Sequence, residues 1–245
     1  MDPRDKPGEG GLARGRGVAL RGGRAYMHPM NDTPDLPIRA GIIPVTPFQQ
    51  NCTLLWCTRT MDGVIIDPGG DVANIRSAIQ QTGMKPTGIW LTHGHIDHAG
   101  GVAELVEHIK VPVTGPHQDD AFLLGGLETQ GREYGFAARN CTPDRWLDEG
   151  DTVKVGEVEF AVRHCPGHSP GHVVFLNEEL KFGQVGDVLF QGSIGRTDFE
   201  HGDHDALIDA IKTKLLPLPD DFTFICGHGP ASTIGAERSS NPFLK

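Results

Sequence analysis

Four side chains able to ligate a metal, His93, His95, Asp97 and His98, occupy six consecutive positions directly behind the apolar run Ile89–Thr92. That arrangement constrains the chain strongly. The run has to be a strand rigid enough to aim the cluster, and the cluster has to occupy the loop that leaves it. His93 and His95, two apart in extended backbone, project to the same side, and Gly94 between them lets the backbone turn tightly. Asp97 and His98 then fall where the chain enters the next helix. Imidazole and carboxylate together suit zinc and similar divalent ions, and four such groups are more than one ion needs from one loop. Three further candidates, His168, Asp187 and His228, arrive singly, each beside glycine and each after another strand-like stretch. A two-metal site assembled from several loops has this pattern.

Short apolar runs predict strands at Ile42–Val45, Thr53–Trp56, Val64–Ile66 and Ile89–Thr92. Others follow at Val158–Val162, Val173–Leu176 and Phe182–Val185, with Phe222–Cys226 as the final strand. Asp71 is expected to cap a helix whose face is Val72, Ile75 and Ile79 and which Gly83 ends. Val102, Leu105, Val106 and Ile109 mark a second helix. Asp119–Leu124 carries a short helical signal inside Gly115–Glu149, a stretch read as a lid or substrate loop. A last helix is expected from about Asp205, with Leu207, Ile208 and Ile211 inward and Pro217 and Pro219 beyond it. Strands outnumber helices and hairpin-like pairs are common. The fold class is therefore α+β, a four-layer αβ/βα sandwich rather than a doubly wound parallel sheet.

A formal net charge of -10 argues against a nucleic-acid partner. No apolar run is long enough to cross a bilayer, so no membrane association is expected. Cys52, Cys57, Cys141, Cys165 and Cys226 have irregular spacing, and free thiols in a reducing cytoplasm are the simplest reading. Residues 1–37 are expected to be a disordered N-terminal extension, since the first 29 hold seven glycines and six Arg or Lys. Two explanations of that stretch stay open: an Arg-rich targeting peptide, against which Asp2, Asp5 and Glu9 count, and translation beginning at Met27 or Met30. Residues 38–245 are expected to form the functional domain. Among the other histidines, His172 is expected to hydrogen-bond behind the ligands. His117, His164, His201 and His204 are read as surface or locally bonded, and His108 as solvated.

Taken together, His93-x-His95-x-Asp97-His98, Cys165-Pro-Gly-His168, Gly186-Asp187 and Gly227-His228-Gly229 resemble the motifs of the metallo-β-lactamase superfamily, over about Ala40 to the C-terminus. The segments Gly192–Phe199, Pro143–Trp146 and Asn241–Leu244 narrow the resemblance to short bacterial hydrolases related to glyoxalase II, the hydroxyacylglutathione hydrolases. The resemblance implies that His93, His95 and His168 hold one metal and that Asp97, His98 and His228 hold a second. Asp187 would bridge them, and Asp97 and Asp187 would be the catalytic carboxylates. It implies two divalent ions, zinc first, with iron or manganese also compatible. The implied reaction is hydrolysis of a small-molecule thioester such as S-D-lactoylglutathione, by attack of a metal-bound hydroxide.

Full-length glyoxalase II carries a C-terminal helical domain that helps bind glutathione, whereas only seventeen residues follow His228 here. Substrate contacts are therefore expected from Gly115–Glu149. The alternative implied by a similar Gly-Arg-Thr-Asp-Phe run is a persulfide dioxygenase, with one iron on His93, His168 and Asp187. Nuclease activity conflicts with the acidic balance. β-Lactamase activity is not expected, because those enzymes are usually secreted and no signal peptide is visible.

Overall fold

Alternation along the strands sorts the apolar residues into three cores, which four layers enclose. The computed structural model describes residues 36–245, and the extension expected over residues 1–37 falls almost wholly outside them. The first sheet runs β1 (Ile38–Val45), β2 (Gln50–Cys57), β3 (Asp62–Ile66), β4 (Lys85–Trp90) and β5 (Val113–Thr114) in spatial order. Its first two junctions are antiparallel and the next two parallel. The parallel strands are joined by α1 (Val72–Thr82) and by α2 (Ile96–Ala99) with α3 (Val102–Ile109). Then α4 (Ala121–Leu124) and α5 (Leu127–Tyr134) lead to the second half.

That half comprises β6 (Thr152–Val155), β7 (Val158–His164), β8 (Val173–Asn177), β9 (Phe182–Gly186), the small hairpin β10 (Leu189–Phe190) and β11 (Ser193–Ile194), α6 (His204–Ala210), β12 (Thr223–Cys226), β13 (Ser232–Thr233) and α7 (Ile234–Ser240). The second sheet has the order β13-β12-β9-β8-β7-β6, parallel only between β12 and β9.

On β2, Leu54 and Trp56 pack toward α1 and α3, while Leu55 and Cys57 pack toward the other sheet. On β3 the division is Ile65 against Val64 and Ile66. On β8, Val174 and Leu176 meet α6, and Val173 and Phe175 enter the space between the sheets. A side-chain period of two puts successive residues on opposite faces, and here both faces are buried. The expected α+β four-layer sandwich is the observed architecture. All five cysteines are free. No helix of the described residues is long and apolar enough to cross a membrane.

Several local expectations are corrected. Asp71 occupies the N-cap position of α1, but with its backbone left-handed (φ 48°) its side chain makes no cap bond. Its carboxylate instead accepts the Thr46 N–H at 2.8 Å and ties the helix to the β1–β2 turn. Strand β4 ends at Trp90, and the Thr92 N–H goes to the Asp67 carboxylate at 2.8 Å. Helix α5 was not expected, since it buries only Leu127 and Gly131 and so shows little apolar period. The helix from Asp205 and the strand ending at Cys226 are not the last elements. β13 and α7 follow, too short to leave a pattern, with the Thr233 hydroxyl accepting the Ala236 N–H at 3.3 Å.

Phe175 is fully buried between the sheets, with its ring 5.0 Å from that of Trp90. Phe175→Ala is expected to cost about 3–5 kcal/mol, read as a lowered urea midpoint. A loss below about 1 kcal/mol would show that this core does not hold the sheets together.

Candidate metal centre

The seven expected ligands meet at one end of the sandwich, where both sheets shed their loops. His93 follows β4 by three residues, and His95 stands at the N-cap position of α2, whose single turn carries Asp97 and His98. His168 lies in the loop after β7, Asp187 directly follows β9, and His228 lies just beyond β12. Two contacts stitch the sheets together here. The Val173 N–H donates to the Thr92 carbonyl at 2.8 Å, and the Asn51 N–H donates to the Gly227 carbonyl at 2.7 Å. The Asn51 amide also donates to the carbonyls of Cys226 and Gly229, at 2.9 and 2.8 Å, fixing the His228 loop.

The ligating atoms form three overlapping groups, each within 4.8 Å: His93 with His95 and His168, His93 with His98 and Asp187, and Asp97 with His98 and His228. Asp187 lies between the outer two. Its Oδ2 is 3.5 Å from His168 Nε2 and 3.6 Å from His228 Nε2, and its Oδ1 is 3.3 Å from His98 Nε2. His95 Nδ1 and His168 Nε2 are 2.9 Å apart, and Asp97 Oδ2 is 3.1 Å from His228 Nε2.

The far nitrogens are anchored, which sets the tautomers. His168 Nδ1–H donates to the Arg196 carbonyl at 2.8 Å and His98 Nδ1–H to Asp67 at 2.9 Å. The Thr92 hydroxyl donates to Asp67 at 2.6 Å, so it accepts from His93 Nδ1–H at 3.1 Å. Each of these rings is left with Nε2 facing its neighbours across the cluster. His93 Nε2, His98 Nε2 and Asp187 Oδ1 are buried and make no hydrogen bond. Leaving three such atoms together is costly, and lone pairs on imidazole and carboxylate are the donors a divalent cation takes. The residues fit a metal.

Electrostatics point the same way. Burial alone would raise the Asp187 carboxyl, but His98, His168 and His228 outweigh it and hold it far below the ordinary carboxylate range. Burial opposes charge on His98, yet Asp187, Asp97 and Asp67 outweigh it and push its pKa well up. His228 is likewise raised against its burial, by its hydrogen bond to Asp97 and by Asp187. Burial, then the neighbouring imidazoles, lower His93, and burial with His168 takes His95 to about 3. One half of the cluster is thus kept neutral, and the other demands positive charge, which a proton or a metal ion can supply.

His172 stands behind the ligands as expected: its Nε2 accepts the Asp187 N–H at 3.0 Å and its ring stacks on His93 at 4.7 Å. His108, His201 and His204 are exposed. His117 and His164 stack on each other at 4.3 Å beside Asp119. One nitrogen of each ring is already engaged: His117 Nδ1 accepts the Asp119 N–H, and His164 Nε2–H donates to the Pro170 carbonyl. Gly94 needs correction. It has no left-handed φ, and the reason for glycine is close packing: a Cβ there would lie 2.8 Å from that of Leu123.

The sequence reading missed Asp67, Asn51 and Asp120. Asp67 had a signal, an acidic residue in Asp-Pro-Gly-Gly directly after a strand. Asp120 had none. It is fully buried, and burial pushes its carboxyl up to about 6 against hydrogen bonds from Ser169, Gly94 and Gly171 that pull it down.

Comparison with known proteins agrees with this geometry. The family model of the metallo-beta-lactamase superfamily matches residues 45–228. The hydroxyacylglutathione hydrolase GloC of Haemophilus influenzae is 46% identical over 205 residues, 83% of this chain and 96% of that protein. Among solved structures, BLEG-1 B3 metallo-beta-lactamase superposes with a TM-score of 0.78 at 37% identity, covering 84% of this chain and 100% of that one. A protein crystallised in a di-iron-bound form gives a TM-score of 0.75 at 40% identity, covering 83% and 99%.

A Cβ on Gly227 would collide with Asp187 Oδ1 and crowd His98. Gly227→Ala should therefore lower bound metal per chain in elemental analysis, and unchanged content would refute this packing. Because protons and metal compete for His98 and His228, metal affinity in chelator competition should fall as pH drops from about 8 to about 5. A flat profile would contradict the assignment.

Proposed function

This chain belongs to the metallo-beta-lactamase superfamily, and from that premise we propose that it hydrolyses hydroxyacyl thioesters, S-D-lactoylglutathione first among them, at a two-metal centre. The superfamily binds divalent metals, and the chain is a metal-dependent hydrolase. His93, His95 and His168 would hold one ion, Asp97, His98 and His228 the other, and Asp187 would bridge them. The observation that carries this reading is the reach of Asp187 to both sets, 3.5 Å to His168 and 3.6 Å to His228. Its likeness to GloC supports a glutathione thioester. Zinc is the first choice for the ions, with iron or manganese compatible with the same donors.

When bound, the ions supply Lewis acidity at the substrate carbonyl and lower the pKa of water from about 15.7 toward 7. The chain's own residues do the rest. Asp67 and the Arg196 carbonyl hold His98 and His168 in the ligating tautomer. Asp97, half-buried at the mouth and bonded to His228, offers a carboxylate to orient the attacking water. Water that has given one proton to solvent attacks the carbonyl carbon as hydroxide, the C–S bond breaks to release the thiolate, and the new carboxylic acid loses the second proton, to the thiolate or to solvent, as it leaves as a carboxylate. With a thiol pKa of about 8.5, the leaving group departs without a dedicated acid.

Substrate would rest against an aromatic rim. Phe199 lies 5.0 Å from His95, with the Arg196 guanidinium 4.4 Å from its ring centre. Phe48, two residues before Gln50, which is bridged to His228, meets Tyr134 at 5.5 Å and Phe136 at 6.0 Å. Tyr134 and Phe136 come from the Gly115–Glu149 stretch expected to contact substrate.

The likeness to a B3 metallo-beta-lactamase motivates a second reading, hydrolysis of a β-lactam amide by the same residues. Purified protein is expected to consume S-D-lactoylglutathione, with about two metals per chain in the same sample. Metal-loaded, folded protein that leaves the thioester intact would remove this substrate. Turnover of a chromogenic cephalosporin instead would establish the second reading. One iron per chain with oxygen uptake on glutathione persulfide would replace both with the dioxygenase.

A further inference from the structure

The three-imidazole group is assembled from opposite sheets. His93 and His95 leave β4 of the first, and His168 follows β7 of the second. Their alignment depends on two loops that share little backbone pairing, chiefly the Val173 N–H to Thr92 carbonyl bond. Asp120 lies where these loops meet, with its side chain fully buried. One oxygen accepts the Gly94 N–H and the Ser169 hydroxyl, both at 2.8 Å, and the other accepts the Gly171 N–H at 2.6 Å. Gly94 separates His93 from His95, and Ser169 adjoins His168. The backbone reinforces the junction: the His117 N–H donates to the Gly171 carbonyl at 3.0 Å, and the Asp120 N–H to the His117 carbonyl at 3.1 Å.

We propose that Asp120 is a positioning residue that sets the spacing of His93, His95 and His168, and with it the metal affinity of that position alone. Only a carboxylate does this. The junction presents three donors, and a carboxylate accepts all of them while donating none. An amide would turn an NH2 toward one or more of those donors. The other ligand group has anchors that do not pass through Asp120: His98 is fixed by Asp67, and the His228 loop by Asn51. No bond from Asp120 reaches either. The inference rests on the two-metal reading above.

The test uses the full chain loaded with zinc. Zinc per chain and its resistance to graded chelator are followed for wild type, Asp120→Asn, Ser169→Ala and Glu237→Gln. Glu237 is the control, a carboxylate 1% exposed that accepts from Gly192 N–H, Ser232 and Asn241, away from these loops. In Asp120→Asn one of the two ions is expected to leave at about 10–100-fold lower chelator concentration, while the other keeps its wild-type resistance. Ser169→Ala, which removes a single donor, should move the same ion by less than about 10-fold. It carries the test if Asp120→Asn does not fold. Glu237→Gln should lower the unfolding temperature and leave both ions in place. A wild-type chelator profile in Asp120→Asn and Ser169→Ala would overturn the proposal. So would loss of both ions together, in step with falling stability. Wild type that binds a single ion would overturn the two-metal reading instead, and Asp120 is then judged by its effect on that ion.

Discussion

A carboxylate almost sealed among imidazoles, Asp187, sets the terms for the rest of this structure. Burying an ionised group without compensation is prohibitively costly. Here His98, His168 and His228 surround it, and the His172 ring receives its backbone N–H. Gly227 is glycine because no side chain fits between Asp187 and His98. These partners come from three separate stretches of chain, around His98, His168–His172 and Gly227–His228, so the cluster exists only once both sheets are in register.

The sandwich supplies that register from its apolar side. Trp90, Phe160 and Phe175 fill the space between the sheets. β9 and β12 are paired in one sheet, and this packing sets their ends against the end of β4 without any strand ladder joining the two sheets. At the open end polar bonds take over from packing: Asn51 reaches the His228 loop, Val173 reaches Thr92, and Asp120 clasps Gly94, Ser169 and Gly171. A rigid apolar body with a polar seam at one end lets the seven candidate ligands converge while the rim stays open.

Much of the fold was legible because both faces of β2, β3 and β8 are buried, which leaves long runs of apolar residues. The elements that escaped notice bury little. Helix α5 contributes Leu127 and Gly131 to the interior, and β13 is only two residues long. Asp71 stood at the right position for a cap, but its competitor for hydrogen bonding, the Thr46 N–H, lies 25 residues away. No local rule reveals such a partner.

The same division holds at the site. The sequence by itself determined the ligand candidates, because four of them share one loop and the others sit beside glycine where strands end. It also determined the layered architecture, through short apolar strand runs that outnumber the helices between them and often fall in hairpin-like pairs. Only the tertiary structure decided which residues support the ligands. Asp67 reaches Thr92 across 25 positions and Asp120 reaches Gly171 across 51. Hydrogen bonding depends on distance in space, and a lone aspartate in a loop looks the same in sequence whether it faces water or joins two loops from opposite sheets.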